Sequence, residues 1–403
     1  MKPWVLIVSV IVIEAAMVFA LLPWANRATL NTTDFVNFYA AATIVRQGNA
    51  ASLYEIQTQG PELAALLGHP SHEYFLHPPF FAAVLAPLSY LSIEKAFLVW
   101  TLFNMALLGS LPVLFSECAD FVRRRPQLGL LGMLFAPVMV ALTLGQDSIL
   151  LLFLFGVGYV LLKRGRDAAA GFVLAAATTK FQYVLMLVGF LLLGRRWRLA
   201  AGFALGCAIL LTVTFFLFGG EGIREYVGFV HNYDVSDGFG TLHTDLMVNA
   251  RGFFAGLGWR HNTQTYTLAI SAVLIVFGAL CTRFISERST SLLFALYVTL
   301  ALLASPYAFF QDSTLLLLPL YLAVDFAFRS SGPPRHLLIF GCGLVFFGPL
   351  LLLALGGHYW WNSRIYLMFP VILLFALTLA AQVYWTRPES VAEFSDDFGI
   401  AVS

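Results

Sequence analysis

Runs of about 20 apolar residues recur from one end of this chain to the other, each long enough to cross a hydrocarbon core of roughly 30 Å as a helix. The first is WVLIVSVIVIEAAMVFALLPWA, positions 4–25. Hydrocarbon offers the backbone no water to bond with, so a spanning segment has to satisfy its own peptide groups, and continuous apolar runs do so as helices. With 60% hydrophobic residues, 11% charged residues and 38 phenylalanines in 403 positions, no soluble class fits. The expected fold class is an all-α polytopic membrane protein.

The net charge of +1 excludes little, but the placement of the charges is informative. Basic loops occur at FVRRRP, KRGRD, GRRWR, RFISER and RSSGPPR. The positive-inside rule puts all of them in the cytoplasm. Of the 8 histidines only His336 falls on that side. The alternation predicts about twelve crossings with both termini inside. The expected helices are 3–23, 94–115, 127–144, 148–163, 168–180, 181–194, 198–218, 264–284, 289–305, 312–328, 336–355 and 364–385. Two of them, 168–180 and 181–194, are too short to span upright, yet basic loops flank the pair on both sides. A tight pair turning near Lys180 resolves this.

These helices form one membrane domain, 1–386, followed by an acidic cytoplasmic tail, 387–403. Glu14 and the lack of a small-residue cleavage site argue that the first run is retained rather than removed as a signal peptide. Two outer loops are long, 24–93 and 219–263, and their apolar and aromatic content argues against disorder. The first contains amphipathic candidates at 34–48 and 61–67, then the apolar stretch 78–92, which re-enters the interface. Cys118, Cys207, Cys281 and Cys342 sit in or beside apolar runs at unrelated spacings and read as core residues.

Polar residues gather where the chain meets the outer membrane boundary. They include Asp34, Asn37, Tyr39, His77, Gln146, Asp147, Lys180, Gln182, Asn249, Arg251, Gln311, Asp312 and Arg364. Ionisable groups at that depth are functional candidates, and these are placed to converge on one cavity. Asp34 has two readings: an N-cap for the helix that follows, or a general base that takes a proton from an attacking hydroxyl. Asn37 and Tyr39 beside it favour the second. Lys180 is either a snorkelling cation or a point charge for a phosphate, a job for which Arg251 and Arg364 are rivals. Gly145, Gln146 and Asp147 form either a polar turn or a site contact.

His69, His72 and His77 have the wrong spacing for a ligand set and are interrupted by prolines, so no metal is expected. No Walker loop, dinucleotide fingerprint or nucleic-acid module is present, so a donor here is activated by a lipid rather than a nucleotide.

At this point the chain resembles glycosyltransferase family 87. DFVNFYAAATIVRQGNAASLYE and LHPPFFAAVLAPLSYLSIEKAFLVWTLFN are similar to the family's front: an acid and a tyrosine after helix one, a Gly then Leu-Tyr, and a Pro-Pro stretch before an apolar Pro-Leu. LGQDSILLLFLFGVGYVLLKRGRDAAAGFVLAAATTKFQYVLMLVGFLLLGRRWR is similar to its middle signature, and LMVNARGFFAGL and SPYAFFQDSTLLLLPL to later landmarks.

The resemblance implies a GT-C fold. It also implies transfer of a sugar, typically mannose, from a polyprenyl phosphate to a lipid or glycan acceptor, outside a bacterial cytoplasmic membrane. By position it assigns Asp34 as the catalytic acid residue and Lys180 as the lysine after the alanine-rich helix. It departs in one place: many relatives have histidine after the Ser-Pro turn, where this chain has Tyr307, then Gln311 and Asp312.

The mechanism expected is inverting and needs neither metal nor cofactor. Asp34 is the base, Lys180, Arg251, Arg364 and Gln146 hold the donor phosphate, and Asn37, Tyr39, His77, Asp147, Asn249, Tyr307, Gln311 and Asp312 serve the acceptor or support these groups. A lipid-linked-sugar flippase is a rival, but it would place polar residues at the midplane of interrupted helices, with symmetry between halves that this sequence lacks. A surface-polysaccharide ligase or polymerase shares the lipid-phosphate chemistry and stays open, as does a sugar other than mannose.

Overall fold

The computed structural model describes residues 30–233, 243–259, 263–285, 290–330, 333–355 and 364–385, with Val12 alone before them. The expected first helix, 3–23, and the tail, 387–403, lie outside the described residues, as does part of the second outer loop. Among the described residues the chain is helical, and the isolated bridge between Met247 and Phe309 is its one extended pairing.

A small cap comes first: α1 (Phe35–Arg46), α2 (Ile56–Leu67) and α3 (Pro79–Leu85), with a 3₁₀ turn Ala86–Tyr90. It packs on an aromatic core of Phe35, Phe38, Tyr54, Phe75 and Phe81, shared with Phe97 and Trp100 of the helix that follows. α1 stops where Gly48 takes φ +86°, and α2 where Gly68 takes φ +80°. α2 begins five residues before the expected 61, with Pro61 carried inside it. The re-entrant stretch 78–92 is α3 and its 3₁₀ turn, with Val84 and Tyr90 exposed.

The bundle follows as α4 (Ile93–Cys118), α5 (Asp120–Arg124), a 3₁₀ segment Pro126–Leu134, α6 (Ala136–Leu144) and α7 (Ser148–Lys163). Next come α8 (Asp167–Ala176), a 3₁₀ turn Ala177–Lys180, α9 (Phe181–Leu193), α10 (Trp197–Tyr233), a 3₁₀ turn Thr244–Leu246, α11 (Ala250–Gly256) and α12 (Thr263–Ile285). The described chain ends with α13 (Thr290–Ala304), a 3₁₀ segment Phe310–Leu316, α14 (Leu317–Arg329), α15 (Pro333–Leu355), a 3₁₀ turn Ile365–Leu367 and α16 (Met368–Trp385).

By length and apolarity six of these segments qualify as spans among the described residues, or seven if the bent pair 126–134 and 136–144 counts as one. The expected count of about twelve includes 3–23, which lies outside the described residues, and among the described residues fewer segments than expected qualify by that measure. Part of the difference has a physical origin: α7, α13 and α14 have only 16, 15 and 13 residues, and the expected pair 168–180 and 181–194 passes as one segment. The helix expected at 127–144 is likewise broken by 61°, with Pro137 near the start of its second half unable to continue a helix from before it.

The segment 167–193 passes as a span of 27 residues, but a straight helix of that length would separate its ends by about 40 Å. Instead, Arg196 at its far end lies 3.1 Å from the carboxylate of Asp167 at its start. Gly171 meets the backbone of Leu199 and Phe203, and Gly202 the backbone of Ala168, so α8 and the start of α10 run side by side in the same direction. The segment doubles back, and Lys180, with non-helical φ −122° and ψ 72°, sits at the tip. α8 and its 3₁₀ turn together rise about 23 Å, close to the roughly 24 Å of α7, so the tip reaches the level of Ser148.

Polar side chains collect at two ends. At one, Arg164 pairs with Glu117 at 2.7 Å, Arg329 with Asp325 at 2.7 Å, and the backbone N–H of Phe121 donates to Asp325 at 3.0 Å. The other end carries the candidate site.

Candidate active site

Asp34 occupies the N-cap position of α1, yet its backbone is already helical, at φ −68° and ψ −16°, and its side chain makes no capping bond. The carboxylate turns away, and its Oδ2 accepts a 2.5 Å hydrogen bond from Nε2 of Gln146. Asp34 is half-buried. Burial pushes its pKa above the ordinary carboxylate range; the Gln146 hydrogen bond opposes this, Glu73 adds to the rise, Lys180 pulls downward and Asp312 upward. A carboxylate so placed is a better proton acceptor near neutrality than a free one.

The turn between α6 and α7 brings Gln146 there. α6 ends at Gly145 with φ +68°, and a Cβ on that residue would lie 2.7 Å from Cβ of Phe35, immediately beside Asp34. Only glycine allows both the left-handed backbone and that approach. The indole N–H of Trp100 donates to the Gly145 carbonyl at 2.8 Å and pins the turn from α4. The amide of Gln146 then reaches two ways: Nε2 to Asp34, and Oε1 to Nζ of Lys180 at 3.2 Å.

Lys180 is buried at the hairpin tip. Its ammonium donates to Oδ1 of Asp312 at 2.6 Å, to Oγ of Ser148 at 3.2 Å and to Gln146, and it lies 3.1 Å from Oδ1 of Asp147. Three N–H donors face four protein oxygens. The expected phosphate contact from Lys180 therefore finds no unused donor in this arrangement. Asp312 is equally engaged: Oδ1 accepts from Lys180 and from Ser148 at 2.9 Å, and Oδ2 accepts from the hydroxyl of Tyr183 at 2.8 Å and the backbone N–H of Phe309 at 3.1 Å. Asp147 is fully buried, with Nε2 of His77 3.5 Å from its Oδ1, outside hydrogen-bond geometry. Phe38, Phe75 and Phe81 pack around the His77 ring.

A second branch leaves through Tyr183, whose single hydroxyl proton is shared between Asp312 Oδ2 and the Tyr307 carbonyl, 2.9 Å away. The guanidinium of Arg251 stands over the Tyr307 ring, 5.6 Å from its centre. α11, which carries Arg251, packs against the 3₁₀ turn that follows Arg364, where Tyr366 lies against Gly256. Arg251 is buried and Arg364 exposed, on one flank. Asn249 caps α11, accepting from Gly252 N–H at 3.1 Å and donating to the Ser305 carbonyl at 2.8 Å.

The structure thus joins Asp34, Gln146, Asp147, Lys180, His77, Asp312, Tyr307 and Arg251 in one connected array. Gln311 is buried next to Asp312, and Asn37 is half-buried one turn along α1 from Asp34. Tyr39 is not brought in: its hydroxyl donates to the Leu91 carbonyl at 2.7 Å and fastens α1 to the end of the re-entrant stretch. Asn249 is a structural cap. His69, His72 and His77 form no ligand group, and no cluster of three metal-binding side chains occurs among the described residues. Sequence reasoning missed Trp100, Ser148 and Tyr183. The last two had a faint signal, since Ser148 follows the Gly-Gln-Asp turn and Tyr183 lies one helical turn beyond Lys180.

Comparison with known families gives one match: the model of glycosyltransferase family 87 covers residues 75–306, more than half of the chain. No curated protein matches it.

Proposed function

Because this chain belongs to glycosyltransferase family 87, a family of membrane glycosyltransferases, we propose that it moves a hexose, mannose first among the candidates, from a polyprenyl phosphate to a hydroxyl of a lipid or glycan acceptor. The observation that carries the reading is the carboxylate of Asp34, which forgoes the cap it is placed to make and is held by Gln146 at a half-buried position.

Asp34 takes the proton from the acceptor hydroxyl as its oxygen bonds to the anomeric carbon. The bond from that carbon to the phosphate oxygen breaks on the opposite face, and the electron pair leaves with the lipid phosphate, so the anomeric configuration inverts. Arg251 and Arg364 serve the departing phosphate, since Lys180 is taken up by protein oxygens. Lys180 instead holds Gln146, and through it Asp34, while Asp312 and Asp147 hold Lys180. The scheme uses side chains alone and calls for no metal. α7 and the hairpin tip rise only about 24 Å from the basic end, short of a hydrocarbon core of roughly 30 Å, so in this reading the donor phosphate dips a little below the outer headgroups of a bacterial cytoplasmic membrane to meet the site.

The test is transfer of radiolabelled mannose from polyprenyl-phosphate-mannose to a membrane lipid extract by purified protein, with chelator present. Asp34→Asn keeps the shape and an acceptor for Gln146 but removes the base, so turnover falls about 10²–10⁴-fold. Equal transfer by both proteins would remove Asp34 from the chemistry, and no transfer by either would overturn the donor assignment.

A further inference from the structure

Beyond Gly219, where φ is +69° and ψ 177°, α10 turns and its last arm folds over the cap, with Gly222 against Ala51. Between this arm and the start of α2 lies a cleft of about 530 Å³. Its walls include Tyr54, Glu55, Gln57, Glu225, Phe229 and Asn232. The chemistry of that lining is selective. It offers two carboxylates and two amides, which bond hydroxyl groups well; Ile56 adds an exposed apolar side chain, and the rings of Tyr54 and Phe229 behind them are almost fully buried. No lysine or arginine lines it, so an anionic phosphate would meet two like charges. An alkyl chain would bury those same polar groups without partners.

The cleft is tied to the array around Asp34 at two points. The Tyr54 hydroxyl donates to the His77 carbonyl at 2.6 Å, and the His77 ring faces Asp147. Tyr233, next in the arm after Asn232, belongs to the same buried aromatic cluster as Phe35, the residue that follows Asp34. The arm thus runs from the cleft to the neighbourhood of the base. Gln57 donates to Glu55 at 2.8 Å, which turns the amide carbonyl and the carboxylate into one hydrogen-bonding edge.

We propose that this cleft binds a neutral saccharide portion of the acceptor, so that the acceptor approaches from the side of α2 and the α10 arm while the lipid phosphate occupies the flank of Arg251. The proposal rests on the transferase reading and adds the acceptor's chemical class and its place. A volume of about 530 Å³ accommodates roughly two hexose rings.

Saturation-transfer NMR on the protein in lipid nanodiscs tests this with three neutral disaccharides (mannobiose, maltose and chitobiose) and with inorganic phosphate. At least one disaccharide receives saturation, phosphate neither receives it nor competes, and the signal falls about threefold or more in Glu225→Gln and in Gln57→Ala, both on the surface of the cleft. Asp34→Asn retains the full signal although its transfer falls about 10²–10⁴-fold. Absence of signal from all three sugars, a signal unchanged in both cleft variants, or competition by phosphate would each overturn the proposal. Disaccharide binding that depends on the cleft, in a protein that transfers no sugar from any prenyl donor, would leave the cleft standing and remove the reaction.

Discussion

At the scale of single residues, the arrangement makes Asp34 responsive to its neighbours. Burial raises its pKa, and the Gln146 hydrogen bond holds that rise in check. The base acts only when ionised, so activity is present above its pKa and is lost as pH falls through it. Gln146→Leu removes the restraining contribution, so the acid limb of the pH–rate profile moves to higher pH; a purely structural role would lower the rate at every pH without moving the limb. Lys180 gives a complementary prediction. Lys180→Met strands two buried carboxylates, Asp147 and Asp312, at a cost of about 3–5 kcal/mol, seen as a large fall in melting temperature. Adding Asp312→Asn recovers part of that loss, because one of the stranded charges is gone. Recovery of the melting temperature without recovery of activity would show that the lysine serves the reaction beyond its part in stability.

The sequence made Asp34 and Lys180 stand out because charges are scarce in apolar surroundings. Their connection was not legible. It runs through Gln146, Ser148 and Tyr183, polar groups that a chain can carry anywhere at little cost, and only the juxtaposition of distant helices gives them partners. Tyr39 misled for the converse reason: adjacency to Asp34 in sequence suggested a shared site, whereas on a helix residues five apart point in different directions.

At the scale of elements, the hairpin of α8 and α9 delivers Lys180 to the site, and glycines set its position. The glycines at 171 and 202 bring α8 and α10 into backbone contact, the small-residue packing that serves helices in lipid, where no hydrophobic gain drives association. Gly202→Ala places a methyl against the Ala168 carbonyl, which forces the helices apart and costs about 1–3 kcal/mol. Displacement of the tip lowers activity along with melting temperature. Gly189→Ala in the returning helix meets nothing within 4 Å and is the control, expected to change neither. The hairpin was readable in outline from the basic residues on both its flanks. The breaks at Phe135 and Gly219 were less so, since the apolar character that marks a helix in lipid continues across them.

At the scale of the whole molecule, the two polar ends fix which segments share a side. α4 passes from Trp100 beside the Gly145 turn to Glu117, which pairs with Arg164. α7 passes from Ser148, bonded to Asp312, to Lys163, which donates to the Glu117 carbonyl at 3.3 Å. The 3₁₀ segment after Phe309 and α14 pass from Asp312 to Asp325 and Arg329. Each runs from the site end to the basic end, so Glu73, on the cap, and Arg164 lie on opposite sides of any membrane the bundle crosses. By the positive-inside rule, the excess of lysine and arginine predicts that the second end faces the cytoplasm. Single cysteines at these two positions, in a background with Cys118, Cys207, Cys281 and Cys342 replaced, report the orientation through a membrane-impermeant maleimide. In intact spheroplasts Glu73→Cys is labelled and Arg164→Cys is labelled only after permeabilisation. The reverse result would turn the site toward the cytoplasm, where nucleotide sugars are available, and the case for a lipid-linked donor would lose its physical basis; labelling of both in intact spheroplasts would mean that the two ends do not straddle the bilayer.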